Sequence, residues 1–540
     1  MPVVAAPAPN PQAKKGGIYR TLATEDPADF GIWDSANGNT LMPSVPTTDS
    51  LLDRNEFEPF KVEQILPSLA YDWWTDKSAT VWTFKLHDKV KFSDGKPFTC
   101  ADAEFSLETI RDARDATGSQ LRRSPRAAWI RRAKDISCPD AYTLQIKTDG
   151  ALPSLPTTLA ITTFGLMPKH VYEGHLDLWL KEPLKVGMGG FVFDSYVPTE
   201  TYKLKRNANY WQQPYPFLDE VHRVNVGSAT ASTAAFRVGR AEAGNPPAAT
   251  RDQMEAEGKI VVYGKVASDG FLGIEVNRRK APWNDPRFAQ ALRCTIDSAK
   301  EIKTAFAGYG FEGPVAPLPT TPGGSPWSIS EEQWKAIGPC HGPTAATDME
   351  KRRQIARDLL AQMGFNANNP AKPLVVFSES QQSYWPPIDE DLRAVGIQPQ
   401  VQFFQTGPIY AKFTNGEFDM GTPASYATSR RDPDHWLYEQ FYSTSDRMYS
   451  KYTNPVTDAL IDKQSRTADP VERVKIIREV ITALTKENAK IMVNHTYAAS
   501  AFGVWVKDAY PGAPTNSQNT FAKFQRVWID QDKLKQMTGG

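Results

Sequence analysis

The spacing of apolar positions changes along the chain, and each change marks an element. Residues 80–86 (TVWTFKL) alternate apolar with polar and are rich in β-branched and aromatic side chains, which predicts a strand. Residues 18–22 and 142–147 alternate in the same way. Asp94-Gly95 makes a turn, and Thr99 with Asp102 three positions on reads as the cap of a helix over 101–111. From about residue 186 the texture becomes Gly- and Tyr-rich, with strands predicted in 187–197, 202–211 and 218–226 and a short helix over 234–243 presenting Gly239. Residues 271–277 form another strand. Asp285-Pro286 then opens a helix whose apolar residues Phe288, Ala291, Leu292 and Ile296 fall at helical spacing. A Pro- and Gly-rich loop covers 308–326, and a long helix over 348–363 ends at Gly364, where glycine takes the left-handed cap. Strands at 374–377 and 400–404 flank a second helix, and 471–487 is the last long helix.

Strands separated by helices through 271–500 predict a mostly parallel sheet with crossover helices, and the strand-rich stretches around it a second, mixed sheet. The architecture expected is α/β, in two lobes with at least one chain crossing between them. There is no internal repeat.

At 540 residues the chain has room for about three or four structural units. Its 62 basic and 62 acidic residues cancel, which argues against non-specific nucleic-acid binding and against adsorption to an anionic bilayer. The 42 prolines exceed the ~27 of average usage, and 14 Trp add to this a loop-rich chain able to line a cavity with rings. The longest uncharged stretch, 150–168, holds Pro153 and Pro156 and fits loop and strand better than a bilayer helix. The start, MPVVAAPAPNPQAKKGG, lacks the apolar core of a signal peptide. It reads as a flexible tail behind an export cleavage site, the signal peptide itself being absent from this sequence, with a cytosolic start as the alternative.

Cys100, Cys138, Cys294 and Cys340 form no C-x-x-C and no zinc spacing. Two disulfides are expected if the protein is exported, Cys100–Cys138 and Cys294–Cys340, because each pair lies within one expected unit; four buried thiols are the cytosolic alternative. Catalytic motifs are missing: there is no G-x-S-x-G, no H-E-x-x-H and no P-loop. The one G-x-G-x-x-G, Gly308 to Gly313, is followed by Pro314, Pro317 and Pro319, so no helix can start there to hold a pyrophosphate. Asp432 and Asp434 read as surface acids rather than a glycosidase pair. No enzyme, no metal and no cofactor is expected.

The stretch 65–110 is the most specific. Pro67, Leu69, Ala70, Trp73, Thr83, Phe84, Leu86, Val90, Lys91, Phe92, Asp94, Gly95, Pro97, Phe98, Thr99, Asp102, Phe105 and Ser106 match the signature of the family 5 extracellular solute-binding proteins, of oligopeptide, dipeptide and nickel type. Cys100 departs, where the family has a small residue. The resemblance continues in order through Val186-Gly187 and Gly190, Arg206-Asn207 with Tyr210-Trp211, and Leu218-Asp219-Glu220. It goes on through Asp285-Pro286-Arg287 with Ala291-Leu292 and Ile296-Asp297, then Gly416 to Asp419 and Asp432-Pro433-Asp434. It implies an α/β, two-lobed periplasmic-binding-protein fold with hinged lobes, mixed sheets and an extra subdomain in the first lobe. The expected division is a tail at 1–15, a first lobe at 16–60, 186–275 and 496–540, the extra subdomain at 61–185, and a second lobe at 276–495. It further implies a periplasmic, monomeric receptor that encloses a small-molecule solute between the lobes and hands it to the permease subunits of an ABC importer. In that subdomain Trp73, Trp82 and Phe84 are expected to pack rather than touch ligand. A ligand sensor on the same fold is the rival reading.

For the site, the resemblance sets a register by Pro433. Peptide-binding members carry, four residues earlier, an Asp that pairs with the peptide amine, and a cleft aromatic three before that. Here those positions are Ser429 and Tyr426, with Ser425, Arg430 and Arg431 in the same loop. Loss of the carboxylate removes the anchor for an ammonium, and an Arg fork suits a carboxylate or phosphate, although solvated surface arginines read equally well. Further ligand contacts are expected at Phe30 and Trp33 after the first strand, at Tyr384 and Trp385 at a strand end, and at His495 and Tyr497 in the returning stretch. The expected ligand is an aromatic acid, a saccharide or a peptide-like solute, rather than an ordinary free-amine peptide; an oligopeptide receptor with a displaced amine anchor is the alternative.

Overall fold

The computed structural model describes residues 8–27, 29–33, 43–54, 65–112, 124, 126–175, 178–315, 327–423, 426–427, 432–509 and 524–539. The chain forms two compact units, residues 1–264 with 499–540, and residues 265–498. Two long strands, Ile260–Val276 and Ile491–Gly503, carry the chain from one to the other.

The first unit holds two four-stranded sheets. In one, Ile18–Ala23 pairs in parallel with Glu220–Asn225, followed by the antiparallel strands Thr201–Arg206 and Phe191–Val197. Alternation puts Tyr19, Val221, Tyr202 and Leu204 inward, against Phe502, Trp505, Phe524 and Ile529 from the end of the chain. The other sheet is antiparallel, ordered Ala70–Thr75, Val81–Leu86, Thr143–Thr148, Ala133–Asp140. Trp73, Trp82 and Phe84 are all in its core. Helix Cys100–Asp112 covers it with Cys100, Ala103, Leu107 and Ile110. The helix starts where the sequence predicts: the Asp102 carboxylate accepts from the Thr99 N–H at 2.9 Å. A disulfide joins Cys100 to Cys138.

In the second unit the strands run in the order Ile491–Gly503, Ile260–Val276, Met420–Thr422, Leu374–Ser378, Gln400–Phe404. The sheet is less parallel than the alternation of strands and helices predicts. Leu374–Ser378 is parallel to both its neighbours, but Met420–Thr422 meets the long strand antiparallel. The long strand enters from the other unit rather than through a crossover helix, so the handedness of crossovers does not constrain its direction. Helix Pro286–Thr295, capped by Asp285, and helix Met349–Gln362, capped by Asp348, pack together on this sheet. The second disulfide, Cys294–Cys340, ties down the end of the first of them. Asp432 and Asp434 are buried, not surface acids. Asp432 caps helix Pro433–Phe441 and receives both guanidinium arms of Arg473, at 2.8 and 2.5 Å. A paired, hydrogen-bonded carboxylate tolerates burial that a free one does not.

Candidate ligand-binding site

The first unit contains a cavity of about 820 Å³, within the range of small-molecule sites. Strand Ile18–Ala23 gives Tyr19, Thr21 and Leu22 to one wall, and the chain turning out of it adds Thr24. A second wall is helix Ala229–Arg237. Ser228 caps it by accepting from the Ala231 N–H at 3.1 Å, and it contributes Thr230, Ser232, Thr233 and Arg237. This helix lies five residues earlier than the sequence suggests, because its run of Ala, Thr and Ser has no apolar period to read. Its one buried residue, Phe236, sits beneath the short strand Ala243–Gly244. Any Cβ at Gly244 would stand 2.4 Å from the Phe236 ring, so only glycine permits that approach. Asn245, Pro246 and Pro247 continue the wall, Thr250 joins from helix Ala248–Ala256, and Ala501, Phe502 and Phe524 close it.

The chemistry of this lining is hydroxyl-rich and nearly uncharged. It includes six Ser or Thr residues and the single cation Arg237. Behind the wall, the fully buried Glu242 accepts from the Arg20 N–H at 2.5 Å and from Arg20 Nη1 at 3.1 Å. Burial pushes its carboxyl up to about 7 even so. The Tyr19 phenol is driven far up by its own burial, then by Glu242, and stays neutral. Such a surface offers hydroxyl groups and one cation among apolar side chains. Among the described residues no three His, Cys, Asp or Glu side chains stand together to hold a metal ion, and no helix is long and apolar enough to cross a membrane.

Residues 64–448 match the profile of the bacterial extracellular solute-binding proteins, family 5 (middle). The chain belongs to that family. It is 23% identical over 498 residues to the periplasmic oligopeptide-binding protein OppA of Salmonella typhimurium, covering 85% of each chain. The fold is shared with DppA of Helicobacter pylori in complex with the peptide STSA, at a TM-score of 0.80 and 21% identity, over 96% of this chain and 99% of that one. It is shared equally with AgaA of Agrobacterium tumefaciens R10 in complex with agropinic acid, at a TM-score of 0.80 and 20% identity, over 95% and 99%. This family 5 protein is thus a non-enzymatic solute-binding protein with the two-lobed periplasmic-binding-protein fold.

The rings expected at the ligand lie against neighbouring side chains. Trp33 is 1% exposed, its indole N–H donating to the Gly165 carbonyl at 2.9 Å. Phe30 is half-buried and edge-on to Tyr196, 5.6 Å between ring centres. In the second unit Tyr384 stacks on Phe306 at 4.2 Å and Trp385 is buried against Phe377. Neither stands free at the strand end: Tyr384 ends a 3-10 turn and Trp385 begins a helix. His495 is buried, its Nε2 donating to the Pro314 carbonyl at 3.1 Å, and burial holds it neutral by pulling its pKa down to about 4. It stacks on Phe311 at 5.3 Å, and Tyr497 lies 5.0 Å from the same ring. Residues Ser425, Ser429, Arg430 and Arg431 lie outside the described residues. The Tyr426 backbone pairs with Phe271 in the sheet. The sequence offered one signal for the helix and wall that it missed, Ser228 ahead of a Thr/Ser-rich run, with Asn-Pro-Pro after it.

Proposed function

We propose that this protein is a periplasmic receptor for a neutral or anionic polyhydroxyl solute, which it delivers to the permease subunits of an ABC importer. The cavity of the first unit is the ligand surface of that unit. Its lining of six Ser and Thr residues with one cation and no carboxylate carries the reading: it offers no carboxylate to pair with an ammonium group. The replacement of an amine-pairing Asp by Ser429, beside Arg430 and Arg431, supports the same conclusion. The fold-mate held with agropinic acid supports a non-peptide ligand on this scaffold. In lobe terms, 16–60, 186–275 and 496–540 form the first lobe, 61–185 its extra subdomain and 276–495 the second lobe. Ser425, Tyr426, Ser429, Arg430 and Arg431 are proposed as ligand contacts from the second lobe.

Native mass spectrometry of the gently purified protein identifies any retained solute, and calorimetry then ranks oligosaccharides, aromatic acids, sugar–amino acid conjugates and an unmodified tripeptide. A cavity-filling Thr233→Trp variant should abolish binding of the preferred solute. Tyr426→Ala should weaken it by roughly tenfold or somewhat less, as expected for a contact of about 1 kcal/mol. Tight binding of the free tripeptide, unaffected by either substitution, overturns the proposal.

A further inference from the structure

In the second unit, helices Pro286–Thr295 and Met349–Gln362 bury two arginines beside each other. Arg293 is 5% exposed and Arg352 2%. Arg293 donates from Nε to the Cys340 carbonyl at 3.2 Å and from Nη1 to the Met492 carbonyl at 2.7 Å. Arg352 donates from Nη2 to the carbonyls of Arg293, at 2.7 Å, and Cys340, at 3.0 Å. That leaves Arg293 Nη2 and Arg352 Nε and Nη1 buried with no hydrogen-bond partner among the described residues. Among those residues, too, no carboxylate forms an ion pair with either guanidinium. Glu312, whose charge reaches both, directs its oxygens instead to the Thr344 N–H and hydroxyl and the Ala345 N–H.

Two dry cations that repel each other, hydrogen-bonded only to carbonyls, are costly without a counter-charge. A small cavity adjoins one of them. It measures about 10 Å³ and is bordered by Arg293, Trp334, His341, Thr485 and Lys490, the space of about one water-sized sphere. The Thr485 hydroxyl is also unpartnered, and the Trp334 ring lies over the Arg293 guanidinium at 5.6 Å. His341 donates from Nε2 to the Thr485 carbonyl, and Lys490 is already paired with Glu275 at 2.8 Å. We propose that this cavity is a structural site for one small monovalent anion of the chloride class, bound by the free Nη2 of Arg293 and the Thr485 hydroxyl. The ion would offset the field of both arginines where the two helices meet.

The test compares thermal unfolding of the whole protein in chloride, bromide and gluconate at matched ionic strength. The expected result is a saturable rise in midpoint with chloride or bromide, of roughly 2–4 °C at tenfold over half-saturation or somewhat less, and no rise with gluconate. Arg293→Met should remove the halide dependence. Crystals of the unaltered protein grown in bromide should show an anomalous peak beside Arg293 Nη2, which decides the question even if the variant does not fold. Equal midpoints in the three salts, a halide effect that survives Arg293→Met, or a water without anomalous signal at that place would each overturn the proposal.

Discussion

Glu301 offers a sharp test of the electrostatics of the second unit. It lies on the short helix Ser298–Thr304 and is 1% exposed, and neither carboxyl oxygen has a hydrogen-bond partner among the described residues. Burial, and after it the nearby Asp391, raises its pKa from 4.5 to about 8, with Lys300 pulling weakly the other way. The native state therefore keeps this proton up to about pH 8, whereas the unfolded chain releases it near 4.5. Between those values the native state binds more protons, so stability falls as pH rises and levels off above about 8. At about 1.4 kcal/mol per pH unit this amounts to a ceiling of roughly 5 kcal/mol, and water penetration and relaxation reduce it to about 2–3 kcal/mol. Glu301→Gln keeps the shape and has no proton to lose. Urea unfolding of both proteins from pH 5 to pH 9 should give similar stabilities at the acid end and a variant more stable by about 2–3 kcal/mol at the alkaline end. Other buried acids, Glu242 among them, tilt both curves alike, so the difference isolates Glu301. Parallel curves, or a wild-type protein that is the more stable at pH 9, would refute the burial argument.

Gly421 sits at φ +149° in the sheet of the second unit, and a Cβ there would stand 1.9 Å from the Val376 carbonyl oxygen; Gly421→Ala should lower stability by more than about 2 kcal/mol, and an unchanged urea midpoint would count against so close an approach of strand Met420–Thr422 to Leu374–Ser378. The Cys294–Cys340 bond closes a separation of 46 residues, so the Cys294→Ser/Cys340→Ser double variant should lose about 4 kcal/mol, and a loss under about 1 kcal/mol in the same assay would show that the helices hold that segment without it.

Where a segment carries its own instructions, the sequence was enough. The Asp285-Pro286 start, the alternation of Val81–Leu86 and the Thr99–Asp102 contact are local, and each element begins where those residues say. Packing partners are not written locally. Trp33 and Trp385 look like ligand rings because they follow strands, but a ring's fate is set by what packs on it, and that comes from distant segments. The cavity wall escaped notice for the opposite reason: it is built of small hydroxyl residues on a helix without apolar period, and hydroxyls scattered from Thr21 to Thr250 have no spacing to detect. The long strand Ile260–Val276 is legible only in its last third, since its earlier part lacks a run of alternating residues.

The crossing of the chain at residues 264 and 499 has a consequence for the order in which the protein is made. The second unit is a single uninterrupted stretch, so every residue of its core is available before the chain is finished. The first unit is not. Its core draws on Phe502, Trp505, Phe524 and Ile529, and Ala243–Gly244 finds its sheet partner only at Ala501 and Phe502. An N-terminal half emerging first thus waits, with Tyr19 and Val221 uncovered, for the last forty or so residues to arrive. In such a chain the residues of the second unit's core are all present before those of the first, and a short truncation at the far end removes core residues from the part that was synthesised earliest.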